Sequence, residues 1–481
     1  MAQLCVTVTG RTMEELRRAR DAAAGADLVE VRLDGVDRPD AAGALEGRLR
    51  PVIVTCRPAW EGGRFDGSED ERLRILCDAA TGGAEFVDVE LRAPFAADII
   101  RARRGRGVVA SMHLFGEPPP DVPSMVRALH ATGAEVVKLA YEARSLTETL
   151  PLFELVQQPE FQTPDHVLIA MGASGVATRV LAARLRNRWT YAGDGMAPGQ
   201  LPPARLVDEF HFRRIRPDAD LYGVVGNPVM HSLSPVMHNA GFAQRGLNAA
   251  YVPLEAKHTD DFVQFARAMR LRGASITAPF KVAMMDRVDH VDALASQVGA
   301  INTLHVRGGQ WIGSNTDVHG FVTPLKGRMT LKGTRAAVLG AGGAARAVAV
   351  ALKREGATVR VCARRAAEAE QVATLVGVHT GEFPPGPGTW DVLVNATSAG
   401  TRADDESPMN GVALDGEIVF DLIYAPSETP LIAQARAAGC WTIGGIEMLI
   451  RQAERQFEIW TGAPPPADLF RHAALGVRSS R

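Results

Sequence analysis

Eight short apolar runs set the architecture of the first half of the chain. They lie at 5–8, 28–32, 52–56, 86–91, 108–112, 136–140, 167–171 and 189–191. Helix-period stretches such as 13–24, 69–81 and 122–132 separate them. A strand followed by a helix or long loop, eight times within about 210 residues, predicts a (β/α)8 barrel near the short end for that fold. An open doubly wound sheet is the alternative, but this half has no phosphate-binding glycine loop.

At 481 residues the chain exceeds one core and predicts two to four domains. Hydrophobic content of 46% and charged content of 22% are those of an ordinary soluble protein. A net charge of -2 gives no case for nucleic acid or an anionic membrane as partner. Cys5, Cys56, Cys77, Cys362 and Cys440 show neither CxxC nor His spacing. They read as reduced core residues in a cytoplasmic protein, with no metal site indicated. The opening MAQLCVTVTG has no basic region followed by a long apolar stretch, so no signal peptide is expected. The long Ala/Val stretch is cut by Arg335 and Arg346, short of membrane-spanning length.

The charged, proline-containing stretch 213–218 reads as a linker. Strand-like LYGVVG at 221–226 then opens a second α/β region. A third begins near Leu331, where TRAAVLGAGGAARAVAVAL gives a strand, a glycine turn and an alanine-rich helix. FPPGPG at 383–388 reads as a surface loop, and the prolines at 464–466 end or interrupt a long amphipathic helix beginning near Ile446. The expected domains are a barrel over 1–212, a second α/β domain over 220–325 completed by a helix within 446–475, and a Rossmann domain over 326–445.

Lys138 sits inside VVKLA, a run that otherwise reads as a buried strand. An ammonium there must lose its charge, find a partner or do chemistry. A desolvated lysine is a nucleophilic amine that can form a Schiff base with a ketone. On the barrel reading, polar residues near the strand ends share its C-terminal mouth. Glu30 and Arg32 share one strand face, as do Asp88 and Glu90. Arg57, Glu61, His113, Arg179 and Gln200 fall after or at the ends of other strands. A barrel interior is normally Val, Ile and Leu, so this many charges points to a site.

The motifs EVR, TCR followed by EGG, SMH, VVKLA, MGxxGxxTR and APGQ, in this order, resemble type I 3-dehydroquinate dehydratase over essentially all of 1–212. The resemblance implies that Lys138 forms an imine with the substrate ketone and that His113 moves the protons, oriented by Glu61. It further implies that Arg179 clamps a carboxylate, while Glu30, Arg32, Arg57 and Gln200 contact other polar groups of the substrate. Met196 stands where the family usually has serine before APGQ, which removes one substrate hydrogen bond.

In the second half, GAGGAAR at 340–346 lies between a strand and a helix, where backbone N–H groups can hold a pyrophosphate. At the end of the next strand, Arg364 and Arg365 stand where an NAD site wants an acid, which favours the 2′-phosphate of NADP(H). NATSAG at 395–400 reads as another loop beside the cofactor. Ser232 and Ser234 offer hydroxyls for a polyol or carboxylate. Lys281 and Asp317 form the kind of pair that ketone reduction needs, since the oxygen must receive a proton.

The Ser232/Ser234 pair, TAPFK, GAINT, NTD, GAGGAAR, NATSAG, DLIYAPSETPL and MLIRQA together resemble shikimate dehydrogenase across about 220–475. The resemblance implies Lys281 and Asp317 as the catalytic pair. Substrate contacts would come from Ser232, Ser234, Thr277, Asn302, Tyr424 and Gln452. Cofactor contacts would come from Gly340, Gly342, Gly343, Ala344, Arg364, Arg365, Asn395, Thr397 and Gly445. The family's Asn-Arg-Thr phosphate pocket is here Ala363-Arg364-Arg365. The two resemblances fit each other, because the product of the dehydratase is the substrate of the dehydrogenase. The expectation is a cytoplasmic, bifunctional shikimate-pathway enzyme taking 3-dehydroquinate through 3-dehydroshikimate to shikimate with NADPH. Its fold class is an N-terminal (β/α)8 barrel followed by a two-lobed α/β dehydrogenase. The alternatives are a quinate/shikimate dehydrogenase of broader specificity and a non-catalytic regulatory homologue. Retention of both lysines, His113 and Asp317 argues against the second.

Overall fold

The eight apolar runs form β1 (Gln3–Val8), β2 (Leu28–Arg32), β3 (Val52–Thr55), β4 (Phe86–Glu90), β5 (Val108–Leu114), β6 (Val136–Glu142), β7 (His166–Met171) and β8 (Trp189–Ala192). The computed structural model describes residues 2–116, 118–163, 165–402 and 404–478. The eight strands are joined by parallel ladders in the order β7-β6-β5-β4-β3-β2-β1-β8, a near-barrel. Among the described residues no ladder closes β8 onto β7. That seam is stitched instead: Arg188 N donates to His166 O at 3.0 Å, and the Asn187 amide both accepts from Leu168 N and donates to Leu168 O.

Alternation along the strands sorts the interior by height. Cys5, Leu28, Ile53, Val109, Val136, Val167 and Trp189 make an apolar floor. Two residues further along six of the strands stand Thr7, Glu30, Thr55, Asp88 (beyond Phe86, which packs against the floor), Ser111 and Lys138, a polar layer joined by hydrogen bonds. The floor excludes water from one end and leaves the polar layer facing the C-terminal mouth, where such folds hold their sites.

The chain divides into two compact units by its contacts. The barrel unit runs to Leu221 and also takes Pro228–His231 and Phe242–Arg270, the last including β10 (Ala249–Glu255). The second unit contains β9 (Asp220–Gly226, assigned from Tyr222 onward), β11 (Gly273–Ile276), β12 (His290–Val291), β13 (Thr303–Arg307) and β14 (Gln310–Ser314). Of these, β9 pairs parallel with β11, β11 and β14 each pair antiparallel with β13, and β12 pairs parallel with β14.

The same unit holds β15 (Arg335–Leu339), β16 (Thr358–Cys362), β17 (His379–Gly381), β18 (Val392–Asn395), β19 (Ile418–Asp421) and β20 (Trp441–Gly444). This sheet is parallel in the order β17-β16-β15-β18-β19-β20. That is the doubly wound order of a Rossmann fold, with its switch point between β15 and β18.

Four local expectations are revised. The long helix is Gly445–Thr461, and left-handed Gly462 (φ 80°) ends it before the prolines are reached. The stretch at 213–218 is partly anchored: Arg213 donates to Asp27 Oδ2 at 2.7 Å and to Gly25 O at 2.8 Å. Cys77 is exposed on its helix, while the other four thiols are buried. The loop at 383–388 is not wholly superficial, since Pro385 is buried and Phe383 packs against the core. Among the described residues, no helix is long and apolar enough to cross a membrane, and no His/Cys/Asp/Glu group has a metal-holding arrangement.

Candidate active sites

Lys138 lies mid-strand, third of seven residues in β6, because the strand runs on to Glu142. Its side chain is 6% exposed. The expected apolar setting is not what surrounds it. Nζ donates to Asp88 Oδ2 at 3.2 Å and Glu30 Oε1 at 3.4 Å, and it stands 4.2 Å above the Tyr191 ring. Two carboxylates and a π face pair the charge that a bare apolar strand would have expelled.

Those carboxylates are themselves held. Glu30 accepts from the hydroxyls of Thr7 (2.9 Å) and Thr55 (3.0 Å). Asp88 accepts from Ser111 Oγ at 2.6 Å and pairs with Arg57 at 2.9 Å. Arg57 also donates to Glu90 at 2.6 Å, and Glu90 takes a second guanidinium from buried Arg72. Charges therefore alternate through the interior in the order Arg72, Glu90, Arg57, Asp88, Lys138, Glu30. Burial alone would push the Asp88 carboxyl up, but Arg57 and Lys138 hold it well below its ordinary value.

His113, sixth residue of β5, shares the same cavity. Glu61, in the short turn after β3, accepts from His113 N at 2.7 Å and approaches Nδ1 at 3.1 Å through the same oxygen. With Nδ1–H directed at Glu61, the Nε2 lone pair is left free. Burial, reinforced by Arg57 and Lys138, drives the imidazole well below its ordinary 6.5, so it is neutral at pH 7. Burial also raises the Glu61 carboxyl to about 7, against the pull of Arg57.

Arg179 completes the set. It is 2% exposed, yet among the described residues no carboxylate pairs with it. Among the described residues its guanidinium makes long hydrogen bonds to Tyr191 O (3.5 Å) and Pro198 O (3.3 Å), and Nε has no partner. A guanidinium so placed is a ready receptor for an anion. Arg32 is held by two 2.8 Å bonds to Asp34. Gln200 accepts from Met196 N at 3.0 Å. The cavity, about 130 Å³, is lined by Glu30, Arg32, Arg57, Glu61, His113, Lys138, Arg179 and Gln200, so all the expected barrel residues converge on it. Met196 lines it too.

In the second unit, Lys281 follows β11 and Asp317 opens the helix Asp317–Lys326. Lys281 Nζ donates to Asp317 Oδ2 at 2.5 Å. Asn302 Nδ2 donates to the other oxygen at 2.8 Å and approaches Gln452 Oε1 at 3.3 Å. Asn302 Oδ1 in turn accepts from Thr316 N at 2.7 Å. A methyl group on Gly320 would meet Gln452 Cβ at 2.7 Å, so glycine there lets the helices carrying Asp317 and Gln452 touch. Ser234 is buried, Ser232, Thr277 and Tyr424 are half-buried, and Ser232 Oγ accepts from Ser234 N at 3.2 Å.

The glycine loop meets this cluster. A Cβ on Gly343 would lie 3.2 Å from Lys281 Cδ, so the start of the helix Gly343–Arg354 abuts the lysine. Gly340 has φ 108°, and a Cβ there would press on Ala396 O at 3.0 Å, across the switch point. Gly342 has open space beyond it, and a Cβ on Gly445 would strike Leu422 O at 2.1 Å. Thr397 Oγ1 donates to Asn395 Oδ1 at 2.7 Å, which fixes the loop beside the glycines. Ala344 lies in the first turn of the helix. Arg364 and Arg365 are exposed after β16, and Arg365 pairs with Glu368 at 2.9 Å. The open cradle, the helix N-terminus and two exposed cations fit a phosphorylated dinucleotide.

Sequence reasoning missed several supports. Asp34 binds Arg32 and also accepts from the backbone of Arg57 and Arg64. Thr7, Thr55 and Ser111 follow from the two-residue alternation that exposed Glu30 and Asp88. Gln456 ties Ser275 Oγ, Asn302 O and Thr303 Oγ1, one helical turn beyond Gln452. Arg72 gave no signal of its role in the barrel, since Glu90, its buried partner there, lies on another element.

The fold and sites define a two-centre α/β enzyme: a lysine-bearing barrel and a nucleotide-dependent dehydrogenase. Residues 4–217 match the family described as type I 3-dehydroquinase. Residues 224–304 match the shikimate dehydrogenase substrate-binding domain, and 445–475 match the shikimate 5′-dehydrogenase C-terminal domain. A chloroplastic bifunctional 3-dehydroquinate dehydratase/shikimate dehydrogenase of Arabidopsis thaliana is 33% identical over 485 residues, covering 93% of this chain and 79% of that protein. A shikimate dehydrogenase (NADP(+)) of Methanocella arvoryzae is 41% identical over 265 residues, 53% of this chain and 97% of that one. The crystal structure of Aquifex aeolicus shikimate dehydrogenase superposes with a TM-score of 0.51 at 34% identity, covering 54% of this chain and 98% of that one. The chain belongs to the bifunctional 3-dehydroquinate dehydratase/shikimate dehydrogenase family, with an NADP-dependent dehydrogenase half.

Proposed function

We propose that Lys138 is the imine-forming amine of the dehydratase and that 3-dehydroquinate is its substrate. The observation that carries this reading is Arg179, a buried cation with no carboxylate partner among the described residues, in the cavity that holds Lys138 and His113. A substrate carboxylate satisfies Arg179 while its ketone reaches Lys138. Asp88 and Glu30, already beside Lys138 Nζ in the free site, stay beside the cationic imine that forms there, so the site need not reorganise as that charge develops. His113 Nε2 takes the proton beside the imine, and the departing hydroxyl takes it back as water leaves. Glu61 holds the imidazole in the tautomer that leaves Nε2 free. Arg32, Arg57, Glu30 and Gln200 meet the remaining polar groups of the substrate.

In the dehydrogenase, 3-dehydroshikimate is the substrate and shikimate the product. NADPH supplies hydride when bound, held by Gly340, Gly342, Gly343, Ala344, Asn395, Thr397 and Gly445, with Arg364 and Arg365 at the 2′-phosphate. Lys281 and Asp317 deliver the proton to the carbonyl oxygen. Ser232, Ser234, Thr277, Asn302, Tyr424 and Gln452 orient the ring. The dehydratase is assigned to 1–212, the substrate-binding domain to 220–325 with 446–475, and the cofactor domain to 326–445. Five free thiols fit a reducing, cytoplasmic setting. Supplying purified protein with 3-dehydroquinate and NADPH should consume NADPH and yield shikimate. Borohydride with 3-dehydroquinate should trap an adduct on Lys138, and an adduct elsewhere defeats the assignment.

A further inference from the structure

The Glu61 carboxylate has two oxygens with different partners. Oε1 serves His113, while Oε2 accepts from Arg92 Nη2 at 3.4 Å. Arg92 follows β4 and reaches Glu61 from outside: its side chain is 55% exposed, whereas that of Glu61 is fully buried. Its guanidinium does not swing freely, because it stacks 5.2 Å over the Trp60 ring, next to Glu61 in sequence. Trp60 is fastened in turn, its Nε1 donating to Glu69 Oε1 at 3.2 Å, and Arg72 holds the other Glu69 oxygen at 2.6 Å.

We propose that Arg92, clamped on Trp60, is a positioning residue that sets the pH at which Glu61 ionises and so the acid limit of the dehydratase. The charged groups around Glu61 come from three strands and their turns. Arg57 after β3 and Arg92 after β4 favour its ionised form, Glu90 on β4 opposes it, and His113 on β5 is the group it orients. Burial has raised the carboxyl to about 7, where a modest change in nearby charge alters its ionisation under working conditions. Arg57 and Glu90 are buried and insulated from salt, but Arg92 is exposed enough to be screened. The acid limit therefore depends on ionic strength through Arg92.

This proposal rests on the Glu61–His113 assignment, and four full-length variants separate the two. Arg92→Gln should move the acid limb of kcat upward by about half to one pH unit. It should also remove the salt dependence of that limb, with KM little changed. Trp60→Leu should give a smaller shift in the same direction, and Arg92→Lys should restore part of the limb. Shikimate dehydrogenase activity in the same preparations reports that the chain is folded. Glu61→Gln should abolish the limb near pH 7. If it does so but Arg92→Gln leaves limb and salt response unchanged, Arg92 has no such role. If Glu61→Gln leaves the limb in place, the assignment of Glu61 itself falls.

Discussion

The two centres solve the same problem, holding a buried lysine in place, by different means. Around Lys138 the protein uses other charges: Asp88 and Glu30 flank it, and Arg57, Glu90 and Arg72 extend the alternation through the interior. Lys281 pairs with Asp317, and the surrounding order comes from Asn302, Gln452, Asn315 and Thr316. On the proposed mechanism the barrel site must stabilise a cationic imine at Lys138 and must accept a substrate anion. The dehydrogenase site has only to pass a proton. A charge network suits the first because every partner stays paired in both states. Neutral amides suit the second because they fix geometry without opposing proton loss.

The strongest way to break this comparison is to remove each lysine in the intact chain. Lys138→Met should lower dehydratase kcat by on the order of 10⁴-fold or more while leaving reduction of supplied 3-dehydroshikimate intact. Lys281→Met should lower dehydrogenase kcat by about 10²–10⁴-fold with dehydration untouched. Loss of both activities from either change would show that the centres are not separate devices. Next in size comes the cost of a missing partner. Asp88→Asn leaves Arg57 and Lys138 as neighbouring buried cations and should destabilise the barrel unit by about 3–5 kcal/mol. Asn302→Ala removes neutral hydrogen bonds and should cost about 1–3 kcal/mol. Urea titrations that gave equal costs would contradict the contrast between the two networks.

Acid sharpens the same contrast. Folded His113 rejects a proton that the unfolded chain accepts at its ordinary 6.5, so proton uptake favours unfolding as pH falls through that value. Asp88, held low by its cations, adds a further loss only in strong acid. The contribution of His113 to barrel stability should therefore fall below about pH 6.5, opposed over the same range by Glu61, whose raised carboxyl takes up a proton in the folded state. His113→Asn should shift urea midpoints upward on the acid side.

The barrel was legible because its pattern is local. Eight apolar runs gave eight strands, and period-two alternation put Glu30 with Arg32 and Asp88 with Glu90 on inward faces. The setting of Lys138 was not legible, because Asp88 and Glu30 reach it from strands 50 and 108 residues away. The run VVKLA says nothing about what the neighbouring strands present. Arg72 and Arg92 were invisible for the same reason. In the second half the glycine loop and NATSAG declared a nucleotide site, yet Gln456 escaped notice because its partners are Ser275, Asn302 and Thr303 on other elements. The helix end went to Gly462 rather than the prolines because a left-handed glycine terminates a helix without needing a proline after it.

The smallest expected effect concerns Arg364 and Arg365, where the dehydrogenase does rely on charge. Both are exposed, and Arg365 already shares its guanidinium with Glu368. A phosphate there competes with a carboxylate and with water, so each contact is worth less than one inside the barrel. Replacing both with Ala should raise KM for NADPH about 10–100-fold, as expected for losing one or two charge-assisted hydrogen bonds. KM for NADH should move little, because that cofactor has no 2′-phosphate to lose. Glu368→Gln frees Arg365 and should lower KM for NADPH slightly. Equal losses for both cofactors would mean that the arginines hold the adenine end by some contact other than charge, and that the second centre uses its cations no more than its amide network implies.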